Sequence, residues 1–375
     1  MKILFIKLGA LGGVLRATPL FTGLKKKYKK SELNVITQEY SSALLENNLD
    51  IDKLWILERD KNKIEKMDFD WVINTEDDEE TCIFASKLKL KTKKFTGPYI
   101  SKEGKITYTK DVAIWYDMGK ISRFGLKKAN ELKKKNSRRY QDIYSKILRL
   151  PKNNYPLILN MTKEEKDWSN EFRKKHEVGE KHFLIGVNTG AGVNWPLKAL
   201  SIQKAVDLIK DINNKNLSVV LLGGPNEIER NREILKRLKV RLLKSSFQNV
   251  VRRFFSKITS FGSIVKAPKF DIKLINPGTE NTLRKFISII NALDILVTSD
   301  TLTLHVAVAL KKRVVCFFGP TSAEEIELYG QGVKIKPDSE CYCCFQKKRT
   351  SARMCIDEIN PEELIQSVLN QTRYL

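Results

Sequence analysis

The 375-residue chain predicts an α/β fold of two doubly wound, Rossmann-like domains that face each other across a cleft. Three observations lead to this prediction. Short apolar runs alternate with amphipathic stretches in two successive series, a proline-containing break separates the series, and glycine turns follow several of the apolar runs. Because parallel strands need long crossovers, usually helices, this alternation is typical of parallel sheets. The two series are assigned to domains 1–155 and 156–375.

The first series supplies the N-terminal domain. Its predicted strands cover residues 2–6, 33–37 and 71–74. The glycine turn Gly9 to Gly13 follows the first strand. The next helix starts either near Val14 or at Thr18, where Pro19 would occupy the first helical position. Residues 90–155 are less regular.

The second series supplies the C-terminal domain. Its predicted strands cover residues 183–188, 217–222, 294–298 and 313–318, and its predicted helices cover residues 201–212 and 226–237. Residues 239–273 are basic and aromatic and do not fit the alternation, so we interpret them as an insertion. A last helix is predicted from Pro361 to Asn370, with Asn360 as its N-cap, and we expect it to be able to pack back on the N-terminal domain.

Charge is the most unusual property of the composition. Lys and Arg (68) minus Asp and Glu (44) gives +24, and a positive surface attracts polyanions such as nucleic acid, anionic lipid or phosphorylated glycolipid. The lysine blocks are equally compatible with solvated helix faces. No run approaches the ~20 apolar residues of a membrane-spanning helix. The first residues indicate a strand rather than a signal peptide, so we expect a cytoplasmic protein, in peripheral contact with the inner membrane face.

Four motifs, spread over most of the chain, carry a family resemblance. They are Ile3 to Gly12, Val219 to Pro225, Phe317 to Thr321, and the segment Asp300-Thr301-Leu302-Thr303-Leu304-His305. Together they resemble glycosyltransferase family 9, the heptosyltransferases. The resemblance implies a GT-B architecture and inverting transfer of a heptose-like sugar from an ADP-linked donor to a lipopolysaccharide core or other envelope glycan. It implies an acidic glycolipid or glycan acceptor, bound by domain 1–155 with its less regular residues 90–155, a nucleotide sugar bound by domain 156–375, and no cofactor for catalysis.

The donor-binding candidates all follow predicted strands of the second domain. The small-residue loop at 188–198 offers the Thr189 hydroxyl and the Lys198 cation for a diphosphate, although a plain glycine turn with a solvated lysine explains it equally well. Glu227 could accept ribose hydroxyls or stabilise a helix N-terminus. By resemblance, Asp300 holds the transferred sugar and Thr301 the phosphate, and His305 completes the signature. The family glycine is Leu302 here, which puts the backbone contact in doubt.

Gly13 is the second departure from the family, which commonly has an Asp there as general base. Glycine cannot accept a proton. The acidic cluster after the third predicted strand offers Glu76 and Asp77 as substitute bases, whereas a solvated acidic helix start is the structural explanation for most of that cluster. Without such a substitute, either the acceptor proton leaves by a different route or the chain is a nucleotide-sugar-binding homologue with impaired catalysis.

Four cysteines near the C-terminus form a candidate metal site. Cys341, Cys343, Cys344 and Cys355 could bind structural zinc or iron through thiolates, and unliganded or redox-active thiols are the alternative. Adjacent Cys343 and Cys344 are a poorer arrangement than paired Cys-x-x-Cys knuckles. Other function classes fit less well. Specific nucleic-acid binding lacks a recognition module, leaving only non-specific polyanion binding, and Gly9 to Gly13 lacks the dinucleotide-binding spacing of a dehydrogenase.

Overall fold

The computed structural model describes residues 1–151, 154–178, 182–238 and 273–375. The predicted insertion at 239–273 therefore lies outside the described residues, except for Lys273. The described residues form two parallel sheets, one in each half of the chain, and helices connect their strands. The predicted mixed α/β class with parallel sheets is thus observed.

The first sheet belongs to the N-terminal half. Its strands are β1 (Lys2–Ile6), β2 (Glu32–Thr37), β3 (Lys53–Ile56), β4 (Asp68–Asn74) and β5 (Lys89–Thr96). They are parallel and lie in the order β3-β2-β1-β4-β5. Strands β1 and β4 are adjacent, with Ile6 opposite Asn74, so the segments that follow them leave the sheet side by side. This neighbourhood is the topological switch point at which such sheets bind ligands.

The first helix runs from Leu11 to Lys27 and starts before either predicted position. Pro19 lies inside it and cannot donate a hydrogen bond to the Leu15 carbonyl. The Thr18 hydroxyl donates to that carbonyl instead, at 2.7 Å, so the helix continues through the proline. Ala10 closes the preceding turn with a positive φ of 48°.

The rest of the N-terminal half contains short helices and one hairpin. The α-helices are Glu39–Ser42, Leu57–Ile64, Glu79–Lys87, Ala113–Tyr116, Gly125–Lys134 and Tyr140–Ile147, with a 3-10 turn at Lys110–Val112. Strands β6 (Pro98–Ile100) and β7 (Ile106–Tyr108) form an antiparallel hairpin. The short helices of the N-terminal half place several aromatic rings beside the glycine turn, where these rings line a small cavity described below.

The second sheet repeats the first with one more strand. It contains β8 (Leu184–Asn188), β9 (Ser218–Leu222), β10 (Leu274–Ile275), β11 (Ile295–Ser299), β12 (Arg313–Phe317) and β13 (Gly332–Ile335). The order is β10-β9-β8-β11-β12-β13, and all pairs are parallel. Strands β8 and β11 occupy the positions that β1 and β4 hold in the first sheet. Their residues are fully buried apolar and small side chains, as both faces are covered by helices.

Helices Lys163–Lys175, Ile202–Asn214, Ile228–Arg237, Leu283–Asn291, Leu302–Ala309 and Pro361–Thr372 belong to the second half, with 3-10 turns at Pro196–Lys198, Pro225–Glu227 and Cys355–Glu358. The Asn360 side chain caps the last helix, as predicted, by accepting from Glu362 N–H. This helix packs on helix Ile202–Asn214 and on β11 to β13. It does not pack back on the N-terminal half as we expected, because its apolar residues Leu364 and Val368 complete the core of the second half.

The two halves contact each other directly at their carboxyl edges. The first helix packs on helix Leu302–Ala309. On one side of this contact, Arg139 pairs with Glu327, and the Tyr140 N–H donates to the Glu325 carbonyl at 3.1 Å. The loops at the carboxyl ends of both sheets are thereby held face to face. Within the described ranges, no helix is long and apolar enough to cross a membrane.

Candidate active site

A cavity of about 830 Å³ lies between the two halves. The first half contributes the turn Ala10 to Gly13, Arg16 and Tyr40. The second half contributes the loops that follow β8, β9 and β11, together with Thr279, Asn281, Leu283 and Phe286. The cavity thus lies outside the carboxyl ends of both sheets, where helix N-termini and loop amides converge. Its size suits a nucleotide-sized ligand.

Lys198 and Asp300 form an ion pair in the wall of this cavity. Lys198 Nζ donates to Asp300 Oδ2 at 2.8 Å and to the Asp300 carbonyl at 2.9 Å. Burial alone would raise the pKa of Asp300, but Lys198 and then His305 hold it well below its usual range. Asp300 is therefore an anion throughout the neutral range. The pair offers a cation and a carboxylate to one ligand.

His305 lies on helix Leu302–Ala309 and faces the first half. Its Nε2 is 3.6 Å from Asp300 Oδ1. Burial lowers the pKa of His305 in spite of this carboxylate, so the ring is neutral near pH 7. A Cβ added at Gly12 would lie 2.6 Å from His305 Cδ2. Gly12 is therefore the residue that lets the glycine turn approach the second half this closely.

Glu227 joins the two loops of the second half. Its Oε1 accepts from the Gly192 N–H at 3.1 Å, and its Oε2 accepts from the Gly224 N–H at 2.9 Å. The Glu227 side chain also fills the space beside Gly190, where an added Cβ would lie 2.0 Å from Glu227 Cγ. The carboxylate lines the cavity, and the Gly192 and Gly224 N–H groups hold it in position.

Thr301 lines the cavity, whereas the Thr189 side chain points into the protein. The Thr301 hydroxyl accepts from Asn188 Nδ2 at 3.2 Å. The Thr189 hydroxyl lies 2.5 Å from Asn231 Oδ1, to which it donates, and Thr189 is buried. The cavity wall there consists of its neighbours Asn188 and Gly190. The structure thus brings Lys198, Glu227, Asp300, Thr301 and His305 together, and it turns the Thr189 hydroxyl away.

A second, smaller cavity of about 200 Å³ lies on the N-terminal side of the first. Both cavities are lined by Gly13 and Arg16. The remaining lining residues are Lys7, Thr75, Glu76, Asp77, Trp115, Tyr116, Tyr140 and Tyr144. Both sequence-predicted substitute bases, Glu76 and Asp77, therefore lie at this cavity. The shared wall at Gly13 makes the two cavities neighbours.

Glu76 is already engaged. Its Oε1 accepts from Lys7 Nζ at 2.6 Å and from the Leu8 N–H at 3.1 Å. Burial opposes the charged form of Lys7, but Glu76 more than offsets this, and the pKa of Lys7 is raised. A Cβ added at Gly13 would lie 3.3 Å from Lys7 Cε. The lysine side chain thus occupies the space beside the position where the family has an Asp.

Asp77 differs from Glu76 in that it has no hydrogen-bond or ion-pair partner among the described residues. It is half-buried at the cavity wall. An uncommitted carboxylate can accept a proton from a bound hydroxyl, whereas one that already accepts from lysine is a weaker base. The geometry therefore separates the two candidates.

Sequence reasoning missed Arg16, which lies between the two cavities. Its guanidinium stacks 4.5 Å from the Tyr140 ring and donates to the Glu325 carbonyl at 3.3 Å. It also missed Asn188, which holds Thr301, and the aromatic wall around Trp115. The available signal for Arg16 was its position one turn after the glycine turn on an otherwise buried helix. No sequence signal pointed to the aromatic residues, which come from a less regular segment.

Three of the four predicted metal ligands come together. The sulfur atoms of Cys341, Cys344 and Cys355 all lie within 4.8 Å of one another. The Cys355 thiol lowers the pKa of Cys344 to about 6, which favours a thiolate. Cys343 does not join them: its N–H donates to the Gly319 carbonyl, and its side chain is buried elsewhere. The candidate ligands are thus the Cys-x-x-Cys pair Cys341 and Cys344 and the more distant Cys355. The predicted set of four also included Cys343, which lies outside this cluster.

The cysteine loop also touches the donor side of the large cavity. Lys347, three residues after Cys344, places its Nζ 5.4 Å from the ring of Trp195. Trp195 lines the cavity, and Lys198 Nζ lies 5.1 Å from the same ring. The indole is therefore flanked by one lysine of the cavity and one lysine of the cysteine loop.

Comparisons with known proteins agree with the sequence resemblance. Residues 268–354 match the model of Glycosyltransferase family 9 (heptosyltransferase). Curated protein sequences gave no match. The matched segment contains two of the four motifs, the Asp300 signature and Phe317 to Thr321, so the predicted resemblance is confirmed there.

Solved structures extend the likeness over the entire chain. The glycosyl transferase family 9 protein from Veillonella parvula DSM 2008 is 18% identical, with a TM-score of 0.72 over 100% of this chain and 98% of the other. The ADP-heptose lps heptosyltransferase II of E. coli is 17% identical, with a TM-score of 0.63 over 100% and 99%. The iron-containing dodecameric glycosyltransferase TibC of E. coli H10407 is 9% identical, with a TM-score of 0.56 over 100% and 76%. At these identities the likeness confirms the GT-B fold.

Proposed function

From the match of residues 268–354 to glycosyltransferase family 9, we propose that this chain transfers a heptose-like sugar from an ADP-linked donor to a lipopolysaccharide core or other envelope glycan, with inversion. The observation that carries the proposal is the gathering of Lys198, Glu227 and Asp300 around one cavity that the N-terminal glycine turn closes. Two proteins of similar structure, the E. coli ADP-heptose lps heptosyltransferase II and the E. coli heptosyltransferase WaaC with ADP-2-deoxy-2-fluoro heptose, support the donor class.

The charges of the cavity suit a nucleotide diphosphate sugar. Transfer leaves negative charge on the departing diphosphate, and Lys198 is the cation placed to stabilise it. Thr301 and the amides at the start of helix Leu302–Ala309 offer further donors, with Leu302 in the place of the family glycine. Asp300, kept anionic by its neighbours, would accept hydrogen bonds from sugar hydroxyls. Glu227 would accept from the ribose.

A panel of nucleotide sugars tests the donor assignment. A ligand that binds only the folded state raises the melting temperature by mass action. We expect ADP-heptose to raise it more than ADP alone and more than UDP- or GDP-linked sugars. The K198A variant should lose most of the shift. An equal shift with every nucleotide sugar, or none with ADP-heptose, would contradict the proposal.

Asp77 is the proposed general base in place of the missing residue-13 carboxylate. It lines the small cavity beside Gly13 and has no partner in the described parts of the chain, whereas Glu76 is held by Lys7. The alternative is a homologue that binds nucleotide sugar without turnover. Donor consumption separates the two: release of ADP in the presence of acceptor supports the enzyme, and binding without release supports the inactive homologue.

The acceptor is proposed to be an acidic glycolipid or glycan that reaches the small cavity from the cytoplasmic side, with peripheral contact to anionic membrane. The support is the +24 net charge and the aromatic wall, since rings such as that of Trp115 pack against sugar faces. Non-specific polyanion binding is the remaining alternative. It predicts strongly salt-dependent binding of arbitrary DNA that is insensitive to changes in either cavity.

A structural metal ion is proposed for Cys341, Cys344 and Cys355. Tetrahedral thiolate sites with bonds of ~2.3 Å need sulfur atoms about 3.8 Å apart, which the observed cluster within 4.8 Å can meet. The structural similarity to TibC, an iron-containing glycosyltransferase, supports iron as well as zinc. Elemental analysis of the purified chain should find about one ion per chain in the native protein and none in C344S, with C343S as the matched control that keeps it. Metal-free native protein would refute the assignment.

A further inference from the structure

The strongest surface feature outside both cavities is the segment 120–138, which surrounds helix Gly125–Lys134. Two large apolar side chains stand in solvent there, Phe124 at 53% and Leu126 at 61% exposure. They occupy neighbouring positions at the start of the helix. Scattered single apolar residues are normal on a protein surface, but a pair at one protruding position suits an interaction.

Exposed cations occur along the whole segment. Lys120, Arg123, Lys127 and Lys128 are close to the pair in sequence, and Lys134, Lys135 and Arg138 follow at the other end of the helix, against the single acidic residue Glu131 in the segment. Arg123 pairs with Asp117 and Lys128 with Glu131, both on the surface. The other five have no acidic partner among the residues that the structure describes. The segment is thus strongly positive, and Phe124 and Leu126 form an apolar tip at the start of its helix.

The helix is fixed at its opposite end. Lys133 lies 3.8 Å from Glu325, 4.8 Å from the Phe345 ring and 5.6 Å from the Trp115 ring. Ala129, in the middle of the helix, is buried. The helix is about 15 Å long at 1.5 Å per residue, so Phe124 and Leu126 project from the end that is far from the second half. The other end of the helix is packed against the second half through Lys133.

We propose that segment 120–138 is a membrane-contact surface, whose cations bind anionic phospholipid headgroups and whose Phe124 and Leu126 insert at the acyl boundary. Apolar residues flanked by Lys and Arg are the composition of interfacial membrane helices. The proposal rests on the proposed function only for the expectation of a membrane-borne acceptor. It locates the membrane contact at segment 120–138, which lies outside both cavities.

Another exposed apolar side chain provides the internal contrast. Leu49 is 93% exposed, more than either residue of the tip, but it stands beside Asp50 and near Asp52. Exposed apolar area at Leu49 therefore lacks the charge that would draw it to an anionic surface. If exposure alone governed membrane contact, Leu49 would matter more than Leu126.

Vesicle co-sedimentation of the full chain tests the surface. With vesicles of 70% phosphatidylcholine and 30% phosphatidylglycerol at 0.15 M salt, we expect binding that phosphatidylcholine alone does not give. The F124S/L126S variant should bind at least about tenfold more weakly. The K127Q/K128Q variant should bind roughly 25-fold more weakly, since each of the two cations near an anionic surface contributes roughly fivefold.

Two matched variants control for general charge and apolarity. L49S/I83S removes two other exposed apolar side chains, and K29Q/K30Q removes two other exposed lysines. Both should bind as the native chain does, and all variants should keep the native melting temperature. Equal weakening by K29Q/K30Q would reduce the effect to net charge and overturn the proposal. So would native binding by F124S/L126S, or no binding by the native chain. None of these outcomes depends on the nucleotide-sugar panel, so the two proposals can fail separately.

Discussion

The two halves place the same pair of side chains at the same point of the same topology. In the first sheet, Lys7 follows β1 and pairs with Glu76, which follows β4, at 2.6 Å. In the second, Lys198 follows β8 and pairs with Asp300, which follows β11, at 2.8 Å. Both pairs lie at the topological switch point of their sheet, and all four side chains are largely buried.

The surroundings of the two pairs differ. The pair in the second half opens on the large cavity with Glu227, Thr301 and loop amides beside it. The pair in the first half opens on the small cavity with aromatic rings, and the turn beside it has no carboxylate because residue 13 is glycine. One topology therefore supplies a lysine and a carboxylate twice, and the neighbouring segments decide whether they face a cavity lined by polar loops or one lined by aromatic rings.

The largest expected effect tests the first half. D77N should lower kcat by about 10²- to 10⁴-fold, the usual contribution of a general base, with little change in donor affinity. Steady-state kinetics with saturating donor measures this. G13D in the D77N background restores a carboxylate at the family position and should recover part of the rate. E79Q, in the same acidic run but exposed, should be neutral. An unchanged rate in D77N would remove Asp77 from the mechanism.

The next effect tests the second half. K198A should lower kcat/KM by about 10²- to 10³-fold, because the departing diphosphate loses its cation. K336A, which breaks the surface pair with Glu324 at 2.9 Å, is the matched control and should stay near the native value. Comparison with K7A then sharpens the contrast between halves: K7A should affect acceptor use rather than donor affinity. Equal loss of donor affinity in K7A and K198A would contradict the division of roles.

A smaller effect tests the contact between the halves. G12A puts a methyl group 2.6 Å from His305 Cδ2, so the glycine turn must retreat, and a misplacement of this size costs up to about 10²-fold in rate. Single-turnover kinetics should show the loss. Since the clash is with the imidazole, the double variant G12A/H305A should recover relative to G12A. Failure of the second change to recover any rate would show that His305 has a role beyond packing.

The smallest effect concerns stability and pH. The lowered pKa of Asp300 means that its ion pair stabilises the fold above the ordinary value of 3.8 and loses that contribution as the pH falls through the folded pKa. D300N should therefore cost about 2 kcal/mol in the free energy of unfolding at pH 7, below the ~3–5 expected for a fully buried pair. Urea unfolding should show the gap between D300N and the native chain shrinking below pH 4. A gap independent of pH would contradict the charge pairing.

Sequence predicted most of the strands because buried parallel strands are continuous apolar runs. It missed β3, β5, β10 and β13, which are the edge strands of the two larger sheets, and the hairpin strands β6 and β7. Strand β5 reads Lys-Leu-Lys-Thr-Lys-Lys-Phe-Thr, a composition that protects an edge from unwanted pairing but hides the strand. The missing strands explain why residues 90–155 looked irregular.

The candidate site was predictable where function follows backbone position, and unpredictable where it depends on side-chain direction. Lys198, Glu227 and Asp300 follow strands, so their convergence could be expected from topology alone. The direction of the Thr189 hydroxyl is set by Asn231, which is 42 residues away, and the exclusion of Cys343 is set by the Gly319 carbonyl. Such partners come from tertiary packing, which no local pattern reveals.

The position of Trp195 gives the protein an intrinsic optical signal. Its indole lies 5.1 Å from Nζ of Lys198, which lines the large cavity, and 5.4 Å from Nζ of Lys347 on the loop that carries the thiols. A ligand bound near either lysine would alter the polarity around this ring. Because the chain contains five tryptophans, the difference in emission between the native chain and the W195F variant isolates its contribution. Titrating one ligand while the other is held constant would then show whether the thiol loop and the large cavity sense each other.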